Sequence, residues 1–503
     1  MKVHLMFKDR DFDIQQKLPP NEQTLTQDLE LNTLFNAMAC GDEFLFEVAK
    51  KAVFSGFNNN LDVILYRQNI LKDCLKNSSI VRNIYDIAVE SLERRKKDYW
   101  GFWGKYPSGI LHGSTRVLRI FVEMLGKLRI IADEHANKFD SEGFTILFTM
   151  LTKELNDEYF TILNEYLKEL EFSNGVLISA ELERGNKGAN YILRKSQDTK
   201  QRWIKRIFDK RFSDYTFYIN DRDIGSLKAL SELNDRGIHL VANALAQSTD
   251  HILNFFNMLR TELAFYVSCL NLHGQLVQKG EPCLFPLPEA RDRNRLSFEG
   301  LYDVCLALTM EQRVVGNDIN ADNKNLMVIT GTNQGGKSTF LRSIGLAQLM
   351  MQCGMFVPAK SFRSNLYDNL FTHYKREEDT SMNSGKLDEE LSRMSDIVDH
   401  LTSNSMMLFN ESFAATNERE GSEIARQIIS ALLERRIKVF FVTHLYDFAL
   451  SFYEKKMENY IFLRAERQPD GGRTFILIEG KPLQTSYGED LYKKIFETDD
   501  QAH

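Results

Sequence analysis

Hydrophobic side chains recur every three or four residues through positions 22–100, the spacing that lines one face of a helix. Leu31, Leu34, Phe35 and Met38 make one stripe, and Phe44, Phe46, Val48 and Ala52 a looser one. Val63, Leu65, Ile70, Leu71, Cys74 and Leu75 lead into Ile80, Ile84, Ile87, Ala88 and Leu92. The same period returns over 115–170, with Val117, Ile120, Phe121, Met124, Leu125 and Leu128 as a buried stripe. Between these runs lie Tyr99, Trp100, Phe102, Trp103 and Tyr106, which read as a packed aromatic corner. Near residue 172 the pattern changes. Val176–Ala180 and Asn190–Leu193 flank Gly185-Asn186-Lys187-Gly188, the signature of a hairpin, and Tyr215–Ile219 reads as a third strand. Helix is expected again from Ile224 to Gln278, in two pieces broken near Arg236-Gly237. Pro282, Pro286 and Pro288 then mark a domain boundary, because proline fits neither helix interior nor central strand. Beyond them strands and helices alternate to the end, the mark of a doubly wound α/β domain.

Composition narrows the function classes. The 503 residues suffice for several domains, and a formal charge of −7 excludes a globally polybasic surface, so any nucleic-acid contact must be a local patch. Six scattered cysteines without a C-x-x-C pair argue against a disulfide framework or zinc site and fit a reducing cytoplasm. No apolar stretch reaches membrane-spanning length, and the opening MKVHLMFKDRDF is not a signal peptide.

The chemistry begins at Gly331-Thr-Asn-Gln-Gly-Gly-Lys-Ser-Thr339, which follows the apolar run Leu326-Met327-Val328-Ile329. This is G-x-x-x-x-G-K-[ST] between a buried strand and a helix start, the context its physics requires. Gly331, Gly335 and Gly336 let backbone N–H groups turn inward on anionic oxygens. Lys337 adds positive charge at the β- and γ-phosphates, and the Ser338 hydroxyl can ligate Mg²⁺. The expected ligand is a nucleoside triphosphate, with ATP and Mg²⁺ as cofactors.

A phosphate loop also needs a strand-end acid for the metal and a group to orient water. Met406-Met407-Leu408-Phe409 ends in Asn410-Glu411. Glu411 is the carboxylate to orient an attacking water. Asn410 stands where an aspartate is usual, so a weaker metal site and slow hydrolysis are expected. The strand Val439–Val442 ends in Thr443-His444, where a histidine can sense the γ-phosphate or polarise the water.

Taken together these segments resemble the MutS family. Thr330–Thr339 looks like its TG-x-N-x-GGKST loop, through Asn333 and the paired glycines. Asn410–Gly421 is similar to its DE-x-x-x-GT-x-x-x-x-G segment, Val442-Thr443-His444 to its ATH element, and Ser486-Tyr487-Gly488 to its closing SYG. Asp28–Asn32 and Tyr66-Arg67-Gln68 look like the start of the family's core domain. The resemblance implies an α/β P-loop NTPase domain of ABC type at 282–503. Ahead of it would lie a helical core at 1–171, a small β-rich insertion with a basic segment at 172–223, and long lever helices at 224–281. It further implies a cytoplasmic homodimer joined through the ATPase domain, with helical levers carrying nucleotide state to DNA. Asn333, Lys337 and Thr339 would sit at the nucleotide, and Ser384 in Asn383-Ser384-Gly385-Lys386 would reach the partner's, although Leu387-Asp388 stand where hydroxyls are usual. Phe285 is either the family's base-stacking aromatic or a buried linker residue. Leu387, Leu391, Met394, Val398 and Leu401 would pack a helix on the sheet.

Neither the family's mismatch-recognition domain nor its nuclease-like tail is expected here. DNA would be read by structure, as duplex or junction, rather than by mismatches. The local candidate is Arg194–Arg211, where Arg202, Lys205 and Arg206 surround Trp203; it is either a phosphate-binding face with a base-stacking tryptophan or a solvated helix face. An alternative function is a nucleotide-gated scaffold on RNA, ribosomes or protein partners, hydrolysing little.

Overall fold

The computed structural model describes residues 1–98, 106–173, 175–185, 187–195, 218–220, 222–331, 334–376, 385–467 and 473–483. The chain forms two compact units, each built from separated stretches. One comprises Met1–Val3, Ser79–Asp140 and Phe144–Arg260, the other His4–Ser78, Ser141–Gly143 and Thr261–His503.

Among the described residues the first unit is helical, with one hairpin. Its longest helices are Pro107–His135 and the first part of Ile224–Gln278, which meet where Phe121 packs on Phe256 with ring centroids 5.3 Å apart. Strands β1 (Leu177–Leu182) and β2 (Gly188–Arg194) pair antiparallel as the hairpin expected from their alternation. The helix Ile224–Gln278 is continuous, which corrects the expected break at Arg236-Gly237. A lone glycine costs a helix only about 1 kcal/mol relative to alanine, too little to interrupt 55 residues. Gly237 serves close approach instead: a Cβ there would stand 2.4 Å from Ile178 Cδ1 on β1. Tyr218 and Ile219 lie in no strand, while Tyr215–Phe217 and the aromatic run 99–105 fall outside the described residues.

The second unit holds a six-stranded sheet in the order β12-β11-β6-β10-β9-β8. Strands β6 (Leu326–Thr330), β8 (Leu370–Tyr374), β9 (Met406–Asn410), β10 (Lys438–Val442) and β11 (Tyr460–Arg467) run parallel, and β12 (Arg473–Glu479) is antiparallel to β11. Because helices cover both faces, β6, β8 and β10 are buried at every residue, and Leu326–Ile329 and Val439–Val442 read as apolar runs. On one face Ala425, Ile429, Phe448 and Phe452 close over Val328, Phe409 and Phe441. On the other lies the helix Lys337–Gln352, whose Gly345 lets it approach Leu408 and Leu29; a Cβ there would be 2.9 Å from Leu408 Cδ1. Its last carbonyl turn is fixed by the buried Arg67, which donates to Cys353 O at 3.3 Å and Met6 O at 2.9 Å. A second sheet, β3-β7-β4-β5, contains β3 (Leu287–Glu289), β4 (Leu296–Leu301), β5 (Asn317–Asn320) and β7 (Ser361–Asn365).

The helix Lys386–His400 packs on the sheet by a different stripe from the one expected. Glu390 and Met394 are buried, and Ile397 and Leu401 pack on the core, whereas Leu391 and Val398 are each 37% exposed. A carboxylate on the buried face shifts the apparent hydrophobic stripe around the helix.

Candidate functional site

The site stands at the carboxyl ends of β6, β9 and β10, where a parallel sheet opens toward solvent. After β6 the chain turns through Gly331 (φ +118°), Gln334 (φ +61°) and Gly336 (φ +85°) into the helix that starts at Lys337. Such left-handed angles suit glycine, which stands at two of the three positions. Gly335 is buried, and Thr332-Asn333 lies outside the described residues. Lys337 is itself buried, and its Nζ donates to Gly331 O at 2.9 Å. Burial lowers its pKa, opposed by the charge of Glu411. An ammonium group held in this way gains most from an anion placed in the loop. Thr339 is half-buried in the first helical turn.

Asn410 ends β9, and its Oδ1 accepts from the exposed Ser338 hydroxyl at 2.9 Å, joining the predicted metal partners directly. Glu411 follows with φ +55°, its N–H donating to Val442 O at 2.8 Å across to β10. That bond sets Glu411 beside His444, whose Nε2 lies 3.1 Å from Glu411 Oε1. Both side chains are about one-third exposed. The hydrogen bond from His444 lowers the Glu411 pKa most, burial opposes it, and the charges of His444, Lys337 and Lys375 lower it further. Glu411 is therefore ionised at neutral pH. Strands, turn and helix thus bring Gly331, Gly335, Gly336, Lys337, Ser338, Asn410, Glu411 and His444 together.

Phe285 is not brought to this site. It is half-buried with Lys72 Nζ 5.1 Å from its ring centre, and it precedes β3, at the opposite edge of its sheet from β5. The loop borders β12 instead, and β12 is tied to β5: Asn317 donates to Phe475 O at 3.2 Å and accepts from Leu477 N at 2.7 Å. Phe475 itself is 45% exposed with φ +59°, and a Cβ on Gly336 would touch its ring edge at 3.5 Å. Its neighbour Arg473 donates to Gln334 Oε1 at 2.5 Å. Ser384, Arg202, Trp203, Lys205 and Arg206 lie outside the described residues.

Two family profiles match the chain, the MutS2 N-terminal domain over residues 59–279 and MutS domain V over residues 327–496. The chain belongs to the MutS family. Curated relatives of this MutS-family chain include the DNA mismatch repair protein MutS of Prochlorococcus marinus (strain MIT 9301). It is 26% identical over 306 residues, which cover 59% of this chain and 33% of the relative. The DNA mismatch repair protein MutS of Thermotoga maritima is 34% identical over 184 residues, 36% of this chain and 23% of the relative. The chain spans about a third or less of the length of these relatives. Within the MutS-family domain V match, Arg473 and Phe475 are the residues that sequence reasoning missed. The available signal was the short apolar run Phe475–Ile478 between Thr474 and Glu479, which marks a strand with an aromatic on it but not its neighbour in space.

No helix among the described residues is long and apolar enough to cross a membrane.

Proposed function

We propose that this chain is a MutS-like ATPase that binds ATP at the Gly331–Thr339 loop, hydrolyses it slowly, and passes the nucleotide state through its helical part to DNA. The observation that carries the reading is the convergence of Lys337, the Ser338–Asn410 pair and the Glu411–His444 pair at three adjacent strand ends. Loop amides and Lys337 bind the polyphosphate, with Asn333 and Thr339 completing the cradle. Ser338 Oγ and Asn410 Oδ1 are oxygen donors suited to a hard cation, and Mg²⁺ bound there supplies charge neutralisation at the phosphates. Both donors are neutral, so turnover is slow. Glu411 orients the attacking water and accepts its proton, while His444 fixes the carboxylate's direction. Phe475, exposed beside Gly336, stacks on the adenine.

The domain works as an ABC-type composite homodimer in a cytoplasmic repair or recombination role, with Ser384 reaching the partner's nucleotide. Arg202, Trp203, Lys205 and Arg206 contact DNA through its backbone, so duplex or junction shape is read rather than a mismatch. Glu411→Gln tests the chemistry: it should retain ATP and lose ~100-fold or more in turnover. Turnover equal to wild type removes Glu411 from the reaction.

A second reading, a nucleotide-gated scaffold on RNA, ribosomes or protein, is favoured by Asn410, since a neutral residue there suits binding without hydrolysis, and by Leu387-Asp388 standing where hydroxyls are usual. Filter binding to duplex, junction and structured RNA separates the two. Steep salt dependence on DNA supports the repair ATPase, and preference for RNA or no polyanion binding supports the scaffold.

A further inference from the structure

The turn that carries Glu411 is held in an unusual way. Glu411 and Phe413, neither of them glycine, both take left-handed backbone angles, φ +55° and +63°. That conformation is unfavourable for side chains of this size and persists only where neighbours impose it. The neighbours are specific. Ser412, between the two, is buried; its hydroxyl donates to His373 O at 2.5 Å and lies 2.8 Å from His373 Nδ1. His373 Nε2 lies 3.0 Å from the carbonyl of Glu390. Its ring stacks on Phe413, centroids 5.2 Å apart and planes within 19°. The Glu390 carboxylate is buried beside the Phe413 N–H, which opposes the rise in its pKa caused by burial, and its Oε2 has no hydrogen-bond partner among the described residues. From the far side Gly421 admits Phe413 O; a Cβ there would lie 2.3 Å from it.

The protonation state follows from the partners. Burial pushes the His373 pKa down to about 4, with Arg393 and Arg376 nearby adding to the effect, so the ring is neutral. A carbonyl only accepts, so Nε2 carries the hydrogen and Nδ1 is an acceptor for Ser412. One hydroxyl proton is therefore placed between two acceptors on the same histidine, its backbone carbonyl and its ring Nδ1.

We propose that Glu390, His373 and Ser412 are positioning residues that hold the left-handed Glu411 turn in its working geometry. They tie the aim of Glu411 to the helix Lys386–His400. This rests on Glu411 as the water-orienting group. It assigns work to a buried carboxylate and a buried imidazole that the phosphate site does not otherwise use. Movement of that helix reaches Glu411 through the Glu390 carbonyl on His373, with the Glu390 carboxylate facing the Phe413 N–H beside it.

The test is single-turnover ATP hydrolysis with separate ATP binding for Ser412→Ala, Glu390→Met and Glu390→Gln, each alone and combined with Glu411→Gln. Ser412→Ala and Glu390→Met should slow the chemical step ~10- to 100-fold with ATP affinity within threefold. Glu390→Gln, which keeps an acceptor for Phe413, should recover most of the rate. In the Glu411→Gln background the same changes should cost nothing further, because their effect acts through Glu411. Losses that persist in that background, or that appear equally in ATP affinity, would overturn the proposal in favour of plain structural support. Glu411→Gln turning over at the wild-type rate is a different failure, of the assignment beneath it. Should Glu390→Met not fold, Ser412→Ala carries the test, since it removes one hydroxyl and adds no volume.

Discussion

Asn410→Asp is the sharpest perturbation of the site. In the structure Asn410 Oδ1 accepts from Ser338 at 2.9 Å, and a carboxylate oxygen would accept the same bond, so the fold around it is kept. What changes is charge. One negative charge acting on a divalent cation at ~4 Å is worth about 2 kcal/mol even with water-like screening. That corresponds to ~30-fold tighter metal binding. Lys337, the neighbouring cation, offsets part of this, which makes ~10-fold the smallest expected gain. The assay is the Mg²⁺ concentration for half-maximal ATP hydrolysis at fixed ATP, with the melting temperature as a check on folding. The half-point should fall by that factor and the rate at limiting Mg²⁺ should rise. A half-point within threefold of wild type would show that position 410 is not a metal partner, and the explanation for slow turnover would go with it.

Phe475→Ala should weaken ATP binding by the ~1–3 kcal/mol of a stacked base while leaving inorganic tripolyphosphate binding as it was; equal effects on both ligands would refute the stacking role. Because Glu411 has its pKa lowered, its charge is present above the unfolded value and lost only as pH falls through a lower folded one. The acid limb of the kcat profile should thus lie below ~4.3, the ordinary glutamate range, and His444→Gln should move it upward. Gly237→Val should destabilise the first unit by about 1–3 kcal/mol in urea unfolding, since Ile178 occupies the space, and Ile178→Ala should relieve much of that cost.

The phosphate site was legible because its physics is local. Strand, glycine turn and helix follow one another in sequence, and Asn410, Glu411 and His444 each end an apolar run whose only long alignment is a parallel sheet. Residues whose role depends on an edge between sheets were not legible. Phe475 reaches Gly336 only because β12 folds back beside β11 and bonds Asn317 on β5, a neighbourhood that no spacing encodes. Phe285, left open between the family's base-stacking aromatic and a buried linker residue, is half-buried beside Lys72. The packing stripe of Lys386–His400 was misread for a related reason: its buried face includes Glu390, a charged residue that the helical spacing of apolar positions does not mark as buried. Gly237 looked like punctuation and is instead a point of close approach.

The most direct measurement is a calorimetric titration of Mg²⁺-ATP into folded wild-type protein and into Lys337→Ala. One saturable site in the wild type, weakened at least ~100-fold without the Lys337 ammonium, is the predicted result, being the loss of a charged group from a buried anion cradle. Absence of heat with the wild type, or equal binding by both proteins, would contradict the account at its root.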